Sequence, residues 1–218
     1  MMSGQLELRY CEDIGMFAWD RDYESCRHRT VYCTNHCYNN KLYKVYHNMY
    51  GKDVRNEIAW SKVSGVALRQ QLVRKRKQTQ RVRGCTRGEN VSTIADIDRI
   101  IDLSQENPDT TFWLPTRGWR DPILNLLIRQ KLWPLTNVVV NASTDPDTSI
   151  EEWEMLERDG WSIMFFGDDN MKVTPLGSKM FQCPKTFKGL KGHCEVCKGG
   201  CLSKVVLGKP SYVILSEH

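Results

Sequence analysis

The sequence lacks any long hydrophobic run. No stretch of about 18 apolar residues, the least that a membrane-spanning helix needs, occurs among its 218 residues. The first ten residues also lack a basic segment followed by an apolar one, so we expect no secretory signal. The composition argues against disorder, since 40% of the residues are hydrophobic and 26% are charged. We therefore expect a cytoplasmic protein without a membrane partner, and the oligomeric state stays open.

Cysteine, by contrast, is abundant. Nine cysteines in a chain without an expected export signal argue against a disulfide framework. In a reducing compartment, clustered thiols bind metals or carry out redox chemistry. Seven of the nine form two groups, three near the start and four near the end. Cys11 and Cys85 stand apart, and we expect them to be ordinary buried thiols.

The first group has the spacing Cys-x6-Cys-x3-Cys, at Cys26, Cys33 and Cys37. Three thiols so close together among polar and basic neighbours indicate metal ligands. A structural metal site takes four protein ligands, so a three-thiol site is either incomplete or open. A [4Fe–4S] cluster held by three thiolates keeps one iron free for a substrate or cofactor.

The second group has the spacing Cys-x10-Cys-x2-Cys-x3-Cys, at Cys183, Cys194, Cys197 and Cys201. Two or three residues between thiols allow the backbone to turn so that the sulfurs face one metal. Four thiols form a closed site, and the spacing leaves both zinc and a [4Fe–4S] cluster open. The sequence therefore predicts a domain over 1–180 and a cysteine-rich metal module over 181–218.

Between residue 80 and residue 166, apolar strand patterns alternate with helices that have clear start signals. Ser92 or Thr93, Asp121 with Pro122, and Ser149 each stand where a helix N-cap is expected. The predicted strands occupy residues 80–85, 111–114, 137–140 and 162–166. These alternations predict an α/β fold with a parallel sheet and helical crossovers, either open or curled towards a barrel.

Four further elements are predicted outside this region. Residues 16–19 indicate a first strand and residues 211–215 a final one. Residues 38–50 have apolar and aromatic side chains at helical spacing, and we expect that stripe to lie in the core. A second helix is predicted over 53–78.

The predicted second helix ends in a basic run, with seven arginines and lysines among fourteen residues. They are Arg74, Lys75, Arg76, Lys77, Arg81, Arg83 and Arg87. Such a run suits a polyanion, whose phosphates the first six would neutralise. A solvated helix end explains the same pattern equally well.

Five segments in a fixed order carry a resemblance to a known family. They are the cysteine motif ending at Tyr38, FWLPTRGWRDP at 112–122, NVVVNASTD at 137–145, the segment 160–169 and the cysteine-rich tail. Together, over about residues 15 to 202, they resemble the phage "gene product eighty-eight" family. The resemblance implies a phage protein that acts in the host cytoplasm.

That family is in turn similar to the radical S-adenosylmethionine enzymes. Those enzymes have a partial (βα)6 barrel and hold a [4Fe–4S] cluster on three cysteines after the first strand. Their usual spacing is Cys-x3-Cys-x2-Cys, which is shorter than the spacing here. The similarity implies a partial (βα)6 barrel, S-adenosylmethionine as a cofactor with Gly88 and Glu89 at its amine, and an auxiliary-cluster role for the tail.

One function that follows is a radical enzyme. The front cluster would pass an electron to S-adenosylmethionine, and the resulting radical would abstract hydrogen from an anionic, nucleic-acid-like substrate. In parallel α/β sheets the chemistry lies beyond the carboxyl ends of the strands. The polar residues there, which could equally serve the turns, are Arg87, Thr116, Arg117, Asp145 and Asp168.

The alternative is a non-catalytic iron–sulfur or zinc protein that binds nucleic acid or a host protein. The wide spacing of the front cysteines favours this alternative. Trp113, Trp119 and Trp133 could stack on bases if they were exposed, although we expect them in the core.

Overall fold

A single sheet of eight strands runs through the part of the chain that the structure describes. The structure is a computed structural model, and it describes residues 5–74, 80–167, 171–188, 194, 197, 201–202 and 210–216. The strands are β1 Arg9–Cys11, β2 Met16–Ala18, β3 Arg81–Arg83, β4 Thr111–Thr116, β5 Val138–Thr144, β6 Ile163–Gly167, β7 Phe181–Gln182 and β8 Tyr212–Ser216.

Eight α-helices accompany these strands within the same residues. They are α1 Val31–Asn35, α2 Tyr38–Val45, α3 His47–Trp60, α4 Gly65–Arg74, α5 Ile94–Glu106, α6 Pro122–Leu127, α7 Ile150–Arg158 and α8 Pro184–Lys188. Single turns of 3-10 helix occupy Tyr23–Ser25 and Gly118–Arg120, and a π-helical turn at Ile128–Leu132 extends α6. No helix in the described ranges is long and apolar enough to cross a membrane.

The strand order is β1-β2-β3-β4-β5-β6-β8-β7. Only the β1–β2 pair is antiparallel, and every other pair is parallel. From β2 to β6 the strands follow one another in chain order, and β8 comes next to β6. Because each crossover advances by one strand in the same direction, the helices between them fall on one face. The predicted α/β fold with a mostly parallel sheet is confirmed.

The two faces of the sheet are covered differently. On one, which we call the helix face, Phe17, Val82 and Phe112 align in register and join the main core with the helices. On the other, Met16 and Trp113 belong to a smaller cluster with Val139 and Met164. Cys194, Cys201 and Leu202 pack against that cluster. We call this second side the tail face, since residues of the cysteine-rich tail cover it.

The predicted helix starts between the strands are confirmed. Thr93 and Ser149 each form a capping box, in which the N-cap hydroxyl and the acid three residues later satisfy one another's backbone N–H groups. Asp121 accepts hydrogen bonds from two backbone N–H groups at the start of α6, with Pro122 in its first turn. Local side-chain chemistry therefore determines where these helices begin.

Two predictions for the region before β3 are wrong. The predicted stripe of residues 38–50 is divided between α2 and α3, since the backbone leaves the helical region at Tyr46. Val45 and Tyr46 are consequently 67% and 56% exposed rather than in the core. The predicted helix over 53–78 is two helices, α3 and α4. The chain restarts at Gly65, whose N–H donates to Asp102 of α5.

Gly65 lies where α4 begins against α5. A Cβ there would lie only 2.2 Å from Glu106 Cβ, so glycine allows α4 to approach α5 closely. Its carbonyl accepts a hydrogen bond from Asn107 Nδ2 at 2.9 Å. The last residues of the predicted helix, 75–78, lie outside the described residues.

A buried ionic network fixes the helical hairpin before β3 to the sheet. The Arg87 guanidinium pairs with Asp53 of α3 through Nε at 2.7 Å and with Asp20, after β2, at 2.7 Å. Thr86 and Arg9 also donate to Asp20. Burial alone would raise the pKa of Asp20, but Arg87, Thr86 and Arg9 together lower it below its ordinary value. The network therefore favours the carboxylate form.

We predict that Arg87→Met destabilises the protein strongly, because it leaves the buried Asp53 without its cation and leaves Asp20 with the pair to Arg9 alone among the described residues. Loss of one partner of a buried ion pair costs about 3–5 kcal/mol of unfolding free energy. Urea unfolding would measure the loss. The control is Lys131→Met at the exposed pair with Asp98, where we expect at most about 1 kcal/mol. Equal losses in the two variants would contradict the prediction.

The lowered pKa of Asp20 predicts a specific acid dependence. Asp20 contributes stability in full above the ordinary carboxyl pKa of 3.8, and that contribution is lost as the pH falls through the lower pKa of the folded state. The difference in unfolding free energy between the wild type and Asp20→Asn should therefore shrink as the solution is acidified below 3.8. A difference that stays constant from neutral to acid pH would refute this role for the carboxylate.

Candidate functional site

The structure brings the three front cysteines together beyond the carboxyl end of β2. Cys26 follows the turn Tyr23–Ser25, Cys33 lies in α1, and Cys37 precedes α2. Burial raises the pKa of Cys26, and the nearby Glu89, Cys33 and Cys37 raise it further. All three cysteines are free of disulfides. The thiols therefore share one partly buried neighbourhood with an acidic side chain.

Two aspartates that follow β5 hold the segment with Cys33. Thr30 donates its hydroxyl to Asp145 Oδ2 at 2.7 Å and accepts a hydrogen bond from Cys33 N at 3.0 Å as the N-cap of α1. The Tyr32 N–H donates to Asp147 Oδ2 at 2.6 Å. Because these bonds satisfy N–H groups of the first turn of α1, the carboxyl end of β5 determines where Cys33 lies.

Arg117 supplies a positive charge beside the thiols. It follows β4, and its Nη2 and Nε donate to Asp145 Oδ2 at 3.1 and 3.3 Å. Burial would lower the pKa of Arg117, but the neighbouring Cys33, Asp145 and Glu89 raise it, so the side chain stays cationic. Arg117 in turn opposes the effect of burial on the pKa of Cys33. A nearby cation favours the thiolate, which is the form that binds metals.

Gly88 and Glu89, the predicted cofactor-binding pair, join the loop after β3 to this neighbourhood. The Glu89 carboxylate accepts backbone N–H groups from Asn90 at 2.6 Å, Val91 at 3.3 Å and Arg117 at 2.9 Å. Gly88 has a φ of +82°, and a Cβ there would lie 2.7 Å from the carbonyl oxygen of Arg21. These bonds hold the loop in place; a contact with a cofactor amine stays a prediction.

The other predicted catalytic residues do not share one environment. Arg87 lies in the ionic network that joins β3 to α3. Thr116 is buried, and its Oγ1 accepts the Gly118 N–H at 2.9 Å. Asp145 is 0% exposed and lies beside Arg117. Asp168 lies outside the described residues.

The predicted nucleic-acid-binding run is divided between the two faces of the sheet. Arg74 ends α4, a helix that packs on the helix face through Leu68. Arg81 and Arg83 alternate with Val82, so they lie on the tail face. Lys75, Arg76 and Lys77 lie outside the described residues. The arginines that are described therefore do not form one continuous stripe.

The tail cysteines also come together. Burial raises the pKa of Cys201 to about 12, and the nearby Cys183, Cys197 and Cys194 contribute to the rise. Cys194 and Cys201 pack against the apolar cluster of the tail face. The last strand of the predicted tail module, β8, pairs with β6 and so belongs to the main sheet.

Across the described ranges, no three thiol, imidazole or carboxylate groups stand close enough to hold a metal ion as they are placed. Asp145 was predicted from the sequence as a site residue, and Thr30 and Asp147 were not. Thr30 could have been predicted as a helix N-cap, because threonine is a preferred N-cap residue and its hydroxyl accepts from the N–H three residues later, here that of Cys33. Asp147 follows Asp145 in the turn after β5, and only the fold brings it to Tyr32.

Comparison with known proteins gives one match. The family model described as Gene product 88 matches residues 10–204. No curated protein and no solved structure matches the chain.

We predict that Thr30→Val exposes Cys33 to alkylation in the reduced, metal-free protein. The change removes the bond to Asp145 and the cap of α1, and a lost cap costs about 1 kcal/mol. That energy corresponds to about a fivefold larger population of the locally opened segment. Peptide mass spectrometry after timed alkylation would measure the rate at Cys33.

The matched control is Thr93→Val, which removes the cap of α5 by the same chemical change. We expect a similar loss of global stability and an unchanged alkylation rate at Cys33. Equal acceleration of Cys33 in both variants would show that Thr30 acts only through global stability.

Proposed function

The chain belongs to the Gene product 88 family, and from that premise we propose that it is an iron–sulfur protein whose open cluster is held by Cys26, Cys33 and Cys37. The observation that carries the proposal is that these three thiols share one neighbourhood beyond the carboxyl end of β2, next to the half-buried cation of Arg117. Strand ends of parallel sheets are the usual place for chemistry in α/β proteins.

The surroundings of the thiols support an iron–sulfur cluster rather than zinc. A structural zinc site needs four ligands, and the two nearby acids already have partners. Glu89 accepts three backbone N–H groups, and Asp145 accepts from Thr30 and Arg117. Thiols that ligate a cluster also stand farther apart than ligands of one ion, because the cluster itself lies between them.

The strand order supports a partial (βα)6 barrel as the scaffold. Six parallel strands, β2 to β6 and β8, are neighbours in chain order, with their helices on one face. That winding is the one a barrel requires. In such a barrel the tail face would be the interior, and the three front thiols would lie at its mouth.

When bound, a [4Fe–4S] cluster with one iron free of protein ligands would supply an electron to S-adenosylmethionine, as in radical enzymes. The side chains around the thiols would position the ligands and set the charge of the site. Asp145 would hold Thr30 and Arg117 in position, and Glu89 would hold the loop after β3. Arg117 would favour thiolates and attract an anionic cofactor or substrate.

His28 is the candidate for a fourth ligand at the front site. It lies two residues after Cys26, and its Nε2 is buried without a hydrogen-bond partner. As a fourth ligand it would close the site and favour the alternative, a non-catalytic metal protein that binds nucleic acid or a host protein. The four tail thiols form the proposed second site, for a [4Fe–4S] cluster or for zinc.

We predict about eight irons and eight sulfides per chain after anaerobic preparation, if both sites hold [4Fe–4S] clusters. Replacing Cys26, Cys33 and Cys37 together with alanine should leave about four irons, since the tail site would remain. Cys85→Ala is the control, because Cys85 is buried and belongs to neither group. Iron, sulfide and zinc assays would give the counts.

Paramagnetic resonance spectra of the reduced protein, with and without S-adenosylmethionine, then distinguish the radical enzyme from the non-catalytic binding protein. A signal that S-adenosylmethionine shifts in the wild type, and not in the triple variant, would support the open cluster. A signal that responds only in His28→Ala would assign His28 as a fourth ligand and favour the binding protein. Iron counts unaffected by the triple variant would overturn the front site.

A further inference from the structure

The tail face contains a buried amide whose orientation is unambiguous. Trp113 Nε1 donates to Asn141 Oδ1 at 2.7 Å. An indole N–H can only donate, so the amide oxygen must face Trp113 and the NH2 group must face away. Asn141 is 0% exposed, and its Nδ2 has no hydrogen-bond partner among the described residues. A buried donor in this state destabilises the fold unless a ligand or water accepts from it.

Arg83 provides a second unsatisfied donor on the same face. It pairs in register with Trp113 on the next strand, and its guanidinium carbon lies 5.0 Å from the centroid of the indole ring. Its Nε is buried, and no group in the described part of the chain forms a hydrogen bond with it. No carboxylate of the described part of the chain forms an ion pair with it. Trp113 is therefore flanked by a cation from β3 and an amide donor from β5.

The groups around Arg83 come from both ends of the chain. Trp113, whose ring the Arg83 guanidinium faces, belongs to the apolar cluster of the tail face. Cys11 at the end of β1 and Cys194 of the tail both pack against that cluster. Asp20, the acid that follows β2, is already paired with Arg87. Arg83 thus lies beside a cluster that both ends of the chain contact, and no acid of the described residues pairs with it.

We propose that Arg83 and Asn141, on either side of Trp113, bind a small molecule that carries a carboxylate or a phosphate group: Arg83 pairs with its oxyanion, and Asn141 Nδ2 donates to an acceptor of the same ligand. Both side chains offer only donors at their unsatisfied atoms, and one of them is cationic. The indole gives an adjacent flat surface for the rest of the ligand. The site goes beyond the proposed clusters and does not depend on their metal.

Thermal unfolding and titration calorimetry of the full chain, with inorganic phosphate and with acetate as separate probes, would test the site. We expect at least one anion to raise the unfolding temperature and to bind at about one equivalent per chain. Phosphate alone would assign a phosphate-bearing ligand, and acetate alone a carboxylate. Absence of binding by both anions would overturn the proposal.

Two variants remove the donors without removing their neighbours. Asn141→Asp keeps an acceptor for Trp113 Nε1 but replaces the NH2 donor with an anion-repelling oxygen. Arg83→Gln removes the charge. We expect each to weaken binding at least about tenfold, the scale of a lost charge-assisted hydrogen bond. Arg158→Gln, which removes the same charge from an exposed position on α7, should leave binding unchanged.

Three outcomes beyond absent binding would decide the proposal. Equal affinity in all three variants would overturn it, as would a crystal structure in phosphate showing only a water on Asn141 Nδ2. If Asn141→Asp failed to fold, Arg83→Gln and the crystal structure would still decide. The variant with alanine at Cys26, Cys33 and Cys37 tests whether this site is independent of the clusters. It should lose iron and still bind the anion. Loss of both iron and anion binding would count against an independent site.

Discussion

The carboxylate of Asp145 joins three parts of the chain that are distant in sequence. It follows β5, accepts the hydroxyl of Thr30 before α1, and accepts two N–H groups of Arg117 after β4. With its side chain fully buried, the carboxylate is stable only because these donors replace water. Arg117 N–H in turn binds Glu89, which extends the same set of contacts to the loop after β3. The position of Cys33 relative to the sheet thus depends on this carboxylate, together with that of Asp147.

Elements with strong local signals could be predicted from the sequence. Thr93, Asp121 and Ser149 cap helices where their side chains predict, because capping depends on residues only a few positions apart. The buried strand at residues 137–140 was likewise evident from its apolar run. The bend at Tyr46 was not, because no proline or glycine marks it. The helical spacing of residues 38–50 therefore predicted a buried stripe, although Val45 and Tyr46 are exposed.

The candidate site was predictable in its residue types and not in its arrangement. Clustered cysteines identified the thiols, but their positions depend on Thr30 and Asp147, whose bonds join residues 115 positions apart. The basic run looked continuous because only the fold shows that Arg74 ends a helix on one face of the sheet, whereas Arg81 and Arg83 lie on the other face. Asn141 was hidden in an apolar strand, where a single polar residue gives no signal of its own. Contacts between distant segments decide all of these features.

The position of β8 has a consequence for how the protein is made. The four tail cysteines lie before β8 in the chain, and β8 covers the edge of β6. Until the tail folds back, β6 presents an unpaired and mostly apolar edge, Ile163–Gly167, of the kind that promotes aggregation. Pairing of this edge therefore has to wait until the segment with the tail cysteines has been synthesised, so the newly made chain depends on residues 212–216 to protect β6 from aggregation.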